Sequence, residues 1–456
     1  MGAPNRKFVW VLACAVSAGA GLARADWPQW RGANRDAKVT GFVAPATWPK
    51  SLTQKWKTQV GDGVATPALV GDKLYVFSRE DGNEVTRCLE ADTGKELWRD
   101  KYPSLPAQGP AAQFSGPRSS PAVADGKVVT QGLHGTVSCL DAATGKKLWR
   151  KDDFPGETPR FYTASSPLIT GGLCIAQVGG PGNGGIIAYD LNTGDTKWKW
   201  TGDGPGYASP ALMMVGDTPL VIAETDRNVV ALNASDGKQV WETPFAAQGM
   251  GAYNAATPVI EGDTLIFSGG GRGTRAVKLA KGDSGITGAD VWTNADKSVQ
   301  FSSPVVKDNL LYGLSQSNEL FCLDLKDGKT LWTTSLGGAA GGGGGMRPPG
   351  GGPGAGPGGP GGPGGAGAPG GRPRGGGGRR MGGGGRGGYG SLVDAGTVLF
   401  ALTPSSDLVA FQPSDKQYTE IAKIKVADSP TYAYPVISGD QIFIKDQQSL
   451  TSLSLK

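Results

Sequence analysis

The side chains able to do chemistry in this chain of 456 residues are few, and their spacing rules out most catalytic schemes. His134, on the turn Gly132-Leu133-His134-Gly135, is the one histidine. A histidine triad or a multi-histidine metal site therefore cannot be assembled. Beyond Cys14 near the start, Cys88, Cys139, Cys174 and Cys322 contain no Cys-x-x-Cys and no adjacent pair. Glu224-Thr225-Asp226-Arg227-Asn228 gathers oxygen ligands on a turn, but a calcium ion takes about six to eight oxygens. No catalytic residue and no metal-ligand set is assigned.

What remains is a set of aromatic and polar residues, each shortly ahead of a proline that opens a strand: Arg118, Phe161-Tyr162, Tyr207, Tyr253-Asn254, Phe301 and Tyr432-Ala433-Tyr434. From these, Arg118, Tyr162, Tyr207, Tyr253, Asn254, Phe301 and Tyr434 are expected to form a funnel for a planar or anionic ligand, or for a partner's peptide. Packing of the same rings against neighbouring segments is the competing account. Turns carrying His134, Asp226, Asn228 and Arg272 are expected on the same face.

Repeated elements position that set. The clearest copy reads Ser120-Pro121-Ala122-Val123, then Gly126-Lys127-Val128-Val129, then Val137 to Asp141, the turn Ala142-Ala143-Thr144-Gly145-Lys146, and Lys147-Leu148-Trp149. Opening prolines recur at Pro67, Pro121, Pro167, Pro210, Pro258, Pro304 and Pro435, with Ser391 at the matching place in one degenerate copy. Closing tryptophans stand at Trp98, Trp149, Trp198, Trp241, Trp292 and Trp332. Spacings of about 40 to 54 residues suit a four-stranded propeller blade. The eighth copy stops before a fourth strand, and Gln54-Lys55-Trp56-Lys57-Thr58 supplies one from the other end of the chain. The predicted fold is all-β: an eight-bladed propeller closed by its N-terminal strand, which removes an exposed sheet edge.

The repeated residues have structural work. Proline opens the innermost strand, where no ladder donor is needed. Glycines such as Gly145 supply the positive φ of the turn before the outer strand. The six tryptophans are expected to pack blade on blade. Cys88, Cys139 and Cys322 share a repeat position with Ala188 and Ala231, so they read as small core residues.

The run Cys139-Leu140-Asp141-Ala142-Ala143-Thr144-Gly145-Lys146-Lys147-Leu148-Trp149 resembles the tryptophan-docking motif of the pyrroloquinoline-quinone (PQQ)-like propeller family. That family includes quinoprotein dehydrogenases and the outer-membrane assembly lipoprotein BamB. Asp26-Trp27-Pro28-Gln29-Trp30-Arg31-Gly32 resembles the start of many of its exported bacterial members. The resemblance implies a non-catalytic, BamB-like scaffold that holds a protein partner in the cell envelope, with no cofactor. The alternative it implies is a PQQ-dependent oxidoreductase acting on alcohols or sugars, with PQQ and calcium in the funnel. The adjacent cysteine pair that many such enzymes carry is absent from this sequence.

The ends and the composition complete the expectations. Arg6 and Lys7, nine apolar residues from Phe8 to Val16, and Ala23-Arg24-Ala25 read as a signal peptide over residues 1–25, cleaved before Asp26. The mature chain is then exported, periplasmic or extracellular. Lipidation at Cys14 is the lesser alternative, since only six apolar residues precede it. No later stretch reaches the length of a membrane span. Residues 26–60 carry the N-terminal segment and closing strand, 61–336 blades 1 to 6, and 391–456 blades 7 and 8. Between them, 337–390 is a Gly/Pro block with six arginines and no acid, expected to be disordered. It is either a tether or a contact for polyanions such as acidic glycans or lipid head groups. The formal charge of +5 comes from 45 basic and 40 acidic residues. Without the signal segment and the Gly-rich block, 36 basic stand against 40 acidic residues, which argues against nucleic acid as a partner.

Overall fold

Short apolar runs separated by positive-φ glycines fold here as eight antiparallel meanders. The computed structural model describes residues 25–247, 253–336 and 390–456. The expected signal segment (but for Ala25) and the Gly/Pro/Arg-rich block (but for Gly390) lie outside them. The described residues form eight four-stranded sheets arranged as an eight-bladed propeller, with a single 3-10 turn at Gly109–Ala111. Blades 1 to 7 span residues 68–103, 122–151, 168–200, 211–244, 259–294, 305–335 and 391–425. Blade 8 joins residues 436–454 to Thr53–Gln59, which pairs antiparallel with Ser449–Ser454 as its outer strand.

One cross-strand pair recurs at the seams. Cys88 faces Trp98, Cys139 faces Trp149, Ala188 faces Trp198, Ala231 faces Trp241, Ala276 faces Trp292 and Cys322 faces Trp332. A bulge follows each pair. A small side chain opposite a large one keeps the blade evenly filled. The indoles of Trp56, Trp98, Trp149, Trp198, Trp292 and Trp332 then donate to backbone carbonyls of the next blade: Ala91, Ala142, Leu191, Ala234, Leu325 and Ser414. Gly145 (φ +73°) lies directly against the Trp98 ring, where any Cβ would overlap it. Trp241 instead lies over Gly288 of a longer hairpin. Blade 7 carries Ala422 at the tryptophan position. There Phe42 and Trp48 of the N-terminal segment pack on Phe400, at 5.4 and 5.9 Å between ring centres.

Around the axis, the Ser/Thr before the prolines that open blades 1 to 6 forms a collar. Its hydroxyl accepts the backbone N–H of the equivalent residue in the preceding blade. The bonds are Tyr434 to Thr66 (2.9 Å), Thr66 to Ser120 (3.0 Å), Ser120 to Ser166 (2.9 Å), Ser166 to Ser209 (2.9 Å), Ser209 to Thr257 (3.3 Å) and Thr257 to Ser303 (2.9 Å). The collar links blade 8 through blade 1 to blade 6, with each of these hydroxyl-bearing residues buried.

The channel inside the collar is filled by the N-terminal segment. Trp27 bridges to Leu69 of blade 1, and the Pro28 carbonyl accepts from Val123 of blade 2. Arg35 donates to the carbonyls of Ser166 and Pro167 in blade 3 and Pro210 in blade 4. Trp30 donates to Thr257 of blade 5 at 2.8 Å, and Arg31 donates to the Pro304 carbonyl of blade 6. Ala37 and Val39 exchange backbone bonds with Asp394 of blade 7, and Trp30 stands edge-on to Tyr434 of blade 8 at 4.9 Å. One stretch of chain thus touches all eight blades. Innermost strands turn a bare edge to the channel, so their carbonyls need donors, and two buried guanidinium groups supply them.

Replacing Ser166 by Ala tests the collar. The buried Ser120 N–H loses its acceptor, and stability should fall by about 1 to 3 kcal/mol, read as a lower midpoint in urea. An unchanged midpoint would show that the collar bonds contribute nothing.

Candidate functional site: a blind aromatic cup

The connections that enter blades 2 to 6 and blade 8 gather at one mouth of the channel and enclose a cavity of about 400 Å³. Its walls are Phe114, Arg118, Phe161, Tyr207, Tyr253, Phe301 and Tyr432, with Gln113 and Gln316 among its polar side chains. Trp30 of the channel-filling segment also lines it, beside the collar residues Ser209 and Thr257. Thr257 carries both structures: its hydroxyl accepts from the Ser209 N–H and from the Trp30 indole. The channel is therefore a cup with a floor.

The rings support one another in edge-to-face contacts, the arrangement favoured by aromatic quadrupoles. Phe161 stands 4.9 Å from Tyr253, Tyr207 stands 5.7 Å from Tyr253, and Phe114 stands 4.9 Å from Tyr432. Tyr253 continues to Phe301 at 6.4 Å. Arg118 ties the long blade 1 to blade 2 connection to the next one, donating to the carbonyls of Phe161 (2.6 Å), Phe114 (3.0 Å) and Ala111 (3.4 Å). The Tyr207 hydroxyl accepts the Phe161 N–H at 3.2 Å, and burial raises its pKa above the ordinary tyrosine value.

The structure brings Arg118, Tyr207, Tyr253 and Phe301 together in this cavity and places the other expected funnel residues elsewhere. Tyr162, at φ +65°, turns away to pack with Ala107, Ala111 and Leu133, edge-on to His134 at 5.3 Å. Asn254 is buried behind the wall, donating to the Thr225 and Phe245 carbonyls at 2.8 and 3.0 Å. Tyr434 is buried beneath Trp30. Their neighbours Phe161 and Tyr432 line the cup in place of Tyr162 and Tyr434. Sequence order could not decide which of two adjacent rings faces inward, because the connections are irregular and have no period. Trp30 and Phe114 were missed. The signal for Trp30 was present: two tryptophans and two arginines crowded into a short segment outside the repeats.

Behind Tyr253 lies a buried polar cluster. Arg272 donates to the carbonyls of Phe245 and Tyr253 and to the Asn254 amide oxygen, and its guanidinium covers the Phe245 ring at 4.1 Å. Asp203, which the sequence did not flag, accepts from Thr225, Arg227 and Asn228. Thr225 and Asn228, on the turn that gathers oxygen ligands, thus spend their side-chain donors on the Asp203 carboxylate. Glu224 is fully buried with no well-formed hydrogen bond to either carboxyl oxygen. Burial pushes its pKa well above the carboxylate range, against the pull of Arg272 and the Ser268 amide. Its register matches Gln131 and Gln177, whose amides donate to the Gln177 and Ala208 carbonyls.

That register yields a pH test. A carboxyl whose folded pKa lies above its unfolded value of about 4.3 binds more protons when folded. It therefore weakens the fold as pH rises above that value. Glu224→Gln should melt above the parent at pH 7 to 8, with the gap closing toward pH 4. Parallel melting curves across that range would contradict a protonated Glu224.

Comparison with known proteins fixes the family. The family model described as "Outer membrane protein assembly factor BamB" matches residues 46–180 and 81–334, more than half of the chain. The protein of that name from Burkholderia pseudomallei is 27% identical over 294 residues, covering 62% of this chain and 68% of that protein. Its Yersinia pestis counterpart is 27% identical over 215 residues, covering 44% of this chain and 53% of its own length. Among solved structures, BamB from Moraxella catarrhalis superposes with a TM-score of 0.57 at 15% identity, covering 88% of this chain and 97% of that one. Quinohemoprotein alcohol dehydrogenase from Comamonas testosteroni gives 0.62 at 14% identity, covering 94% and 80%. At such identities these structures establish a shared fold.

Proposed function

The chain belongs to the family of the outer membrane protein assembly factor BamB, and we propose from that premise that it is a non-catalytic envelope scaffold holding a protein partner in its aromatic cup. The observation that carries the reading is the cup itself: a concave, aromatic-walled site with a closed floor, the kind of pocket in which interface anchors bury. Its relatives are named as outer membrane protein assembly factors. Export by the N-terminal segment would put the chain in the same compartment, and among the described residues no helix is long and apolar enough to cross a membrane.

The oxidoreductase alternative draws support from the shared fold with a quinohemoprotein dehydrogenase. The residues fit it poorly. Arg118 is the charged side chain of the described cup lining, which offers no carboxylate to a calcium ion. No group of three His, Cys, Asp or Glu suited to a metal occurs among the described residues. Cys88, Cys139 and Cys322 sit inside separate blades, and burial pushes each thiol up to about 12. These are packing thiols rather than a redox pair at a quinone.

Affinity isolation from the native envelope tests the scaffold reading. Phe301→Ala combined with Tyr253→Ala should abolish capture of a specific protein that the parent retains. Both rings are only partly buried, so the variant should melt within a few degrees of the parent. Capture unaffected by the double change would remove the cup from the binding surface. Dye reduction with alcohols after adding PQQ and calcium would favour the enzyme.

A further inference from the structure

The cup opens beside the two ends of the Gly/Pro/Arg-rich block, and the chemistry of the two matches. We propose that in the free protein the cup holds the chain's own proline stretch around Pro357, Pro360 and Pro363. This rests on the cup being a binding site, as argued above.

The first support is position. The Leu336 N–H donates to the Asn318 carbonyl at 3.2 Å, and Gln316, on the same turn, lines the cup. At the other end Gly390 packs on Leu314, whose carbonyl accepts from Ser302, next to the wall residue Phe301. Both ends therefore leave the propeller at the rim beside blade 6. The chain from Leu336 to Pro357 can stretch to about 70 Å at roughly 3.3 Å per residue. A body of this size has a radius of gyration of about 21 Å, so the stretch reaches the cup with slack to spare.

The second support is pattern. Pro357, Pro360 and Pro363 recur every third residue, with glycine pairs between them. A polyproline II helix has three residues per turn, so these rings would line one edge of it. Glycines elsewhere would leave no side chain to hold that edge off a wall. Aromatic-lined grooves take such segments because little conformational freedom is lost on docking.

The third support is charge. The block's arginines Arg347 and Arg372 flank residues 348–371, and that stretch carries no charge. The described cup lining has no carboxylate to call an arginine inward, and Arg118 is committed to wall carbonyls. The uncharged prolines suit the rings, and the flanking arginines stay in water at the rim. A tethered segment works at an effective concentration in the millimolar range, so even weak stacking would keep the cup filled. A partner would then have to displace it, which sets a threshold for binding.

The test uses the full chain and a labelled synthetic peptide with the sequence of residues 353–366. The comparison protein is the full chain with Pro357, Pro360 and Pro363 all changed to Ser. The peptide should bind this variant at least about tenfold more tightly than the parent, whose cup is already filled. Adding Phe301→Ala to the variant should remove that gain. Equal binding to parent and variant, or binding to neither, overturns the proposal. If envelope capture needs Tyr253 and Phe301 yet the triple-serine chain captures no more partner than the parent, this inference falls and the scaffold reading stands.

Discussion

Two buried guanidinium groups donating to the bare carbonyls of innermost strands are the interaction on which this propeller depends. Every blade turns one sheet edge toward the axis, and the carbonyls on that edge have no ladder partner. Water could satisfy them only if the channel stayed open. Arg35 satisfies the carbonyls of Ser166, Pro167 and Pro210 and Arg31 that of Pro304, and both are buried enough that desolvation lowers their pKa, that of Arg35 to about 9. A buried charge is costly unless well bonded. The arrangement is therefore specific: the segment must enter in one register, with Arg31, Arg35 and Ala37 all at positive φ. The same insertion places Trp30 at the bottom of the cup, so ring integrity and site geometry share one cause.

The seams between blades follow a second rule. A tryptophan docks on the next blade's turn because three positions cooperate: a small residue opposite it, a glycine beneath it and a free carbonyl at its indole nitrogen. Where blade 7 offers Ala422 in place of the tryptophan, the N-terminal segment supplies Phe42 and Trp48 to the blade instead. The least regular blade is thus covered by the least regular segment, which runs on from the axis to become the closing strand of blade 8.

Much of this was legible in the sequence. The period of the Ser/Thr-Pro openings and Gly/Trp closings gave eight blades, the closing strand and the exchange of Cys with Ala, because each of those features repeats. What repeats can be read. The axial segment occurs once, so nothing in the chain could be set against it, and Asp26 to Gly32 showed only a family likeness. The same limit explains the mixed outcome for the cup. Tyr207, Tyr253 and Phe301 stand alone before their prolines and were unambiguous, whereas Phe161 and Tyr162, or Tyr432 and Tyr434, compete for one inward place. Positive φ at Tyr162 decides the first case and burial under Trp30 decides the second, and neither is written in composition or spacing. The hydroxyls of the collar are visible in the Ser/Thr-Pro pairs, but their hydrogen bonds to the preceding blade leave no mark in spacing.

The claim at the centre of this account is that residues 26–48 hold the ring from inside and give the cup its floor. The most direct measurement is the melting of a chain that begins at Pro49, which keeps the closing strand Thr53–Gln59 intact. The account predicts a large drop in melting temperature with loss of partner capture, since the eight blades lose the one segment that touches them all. A truncated chain that melts and captures like the parent would contradict it.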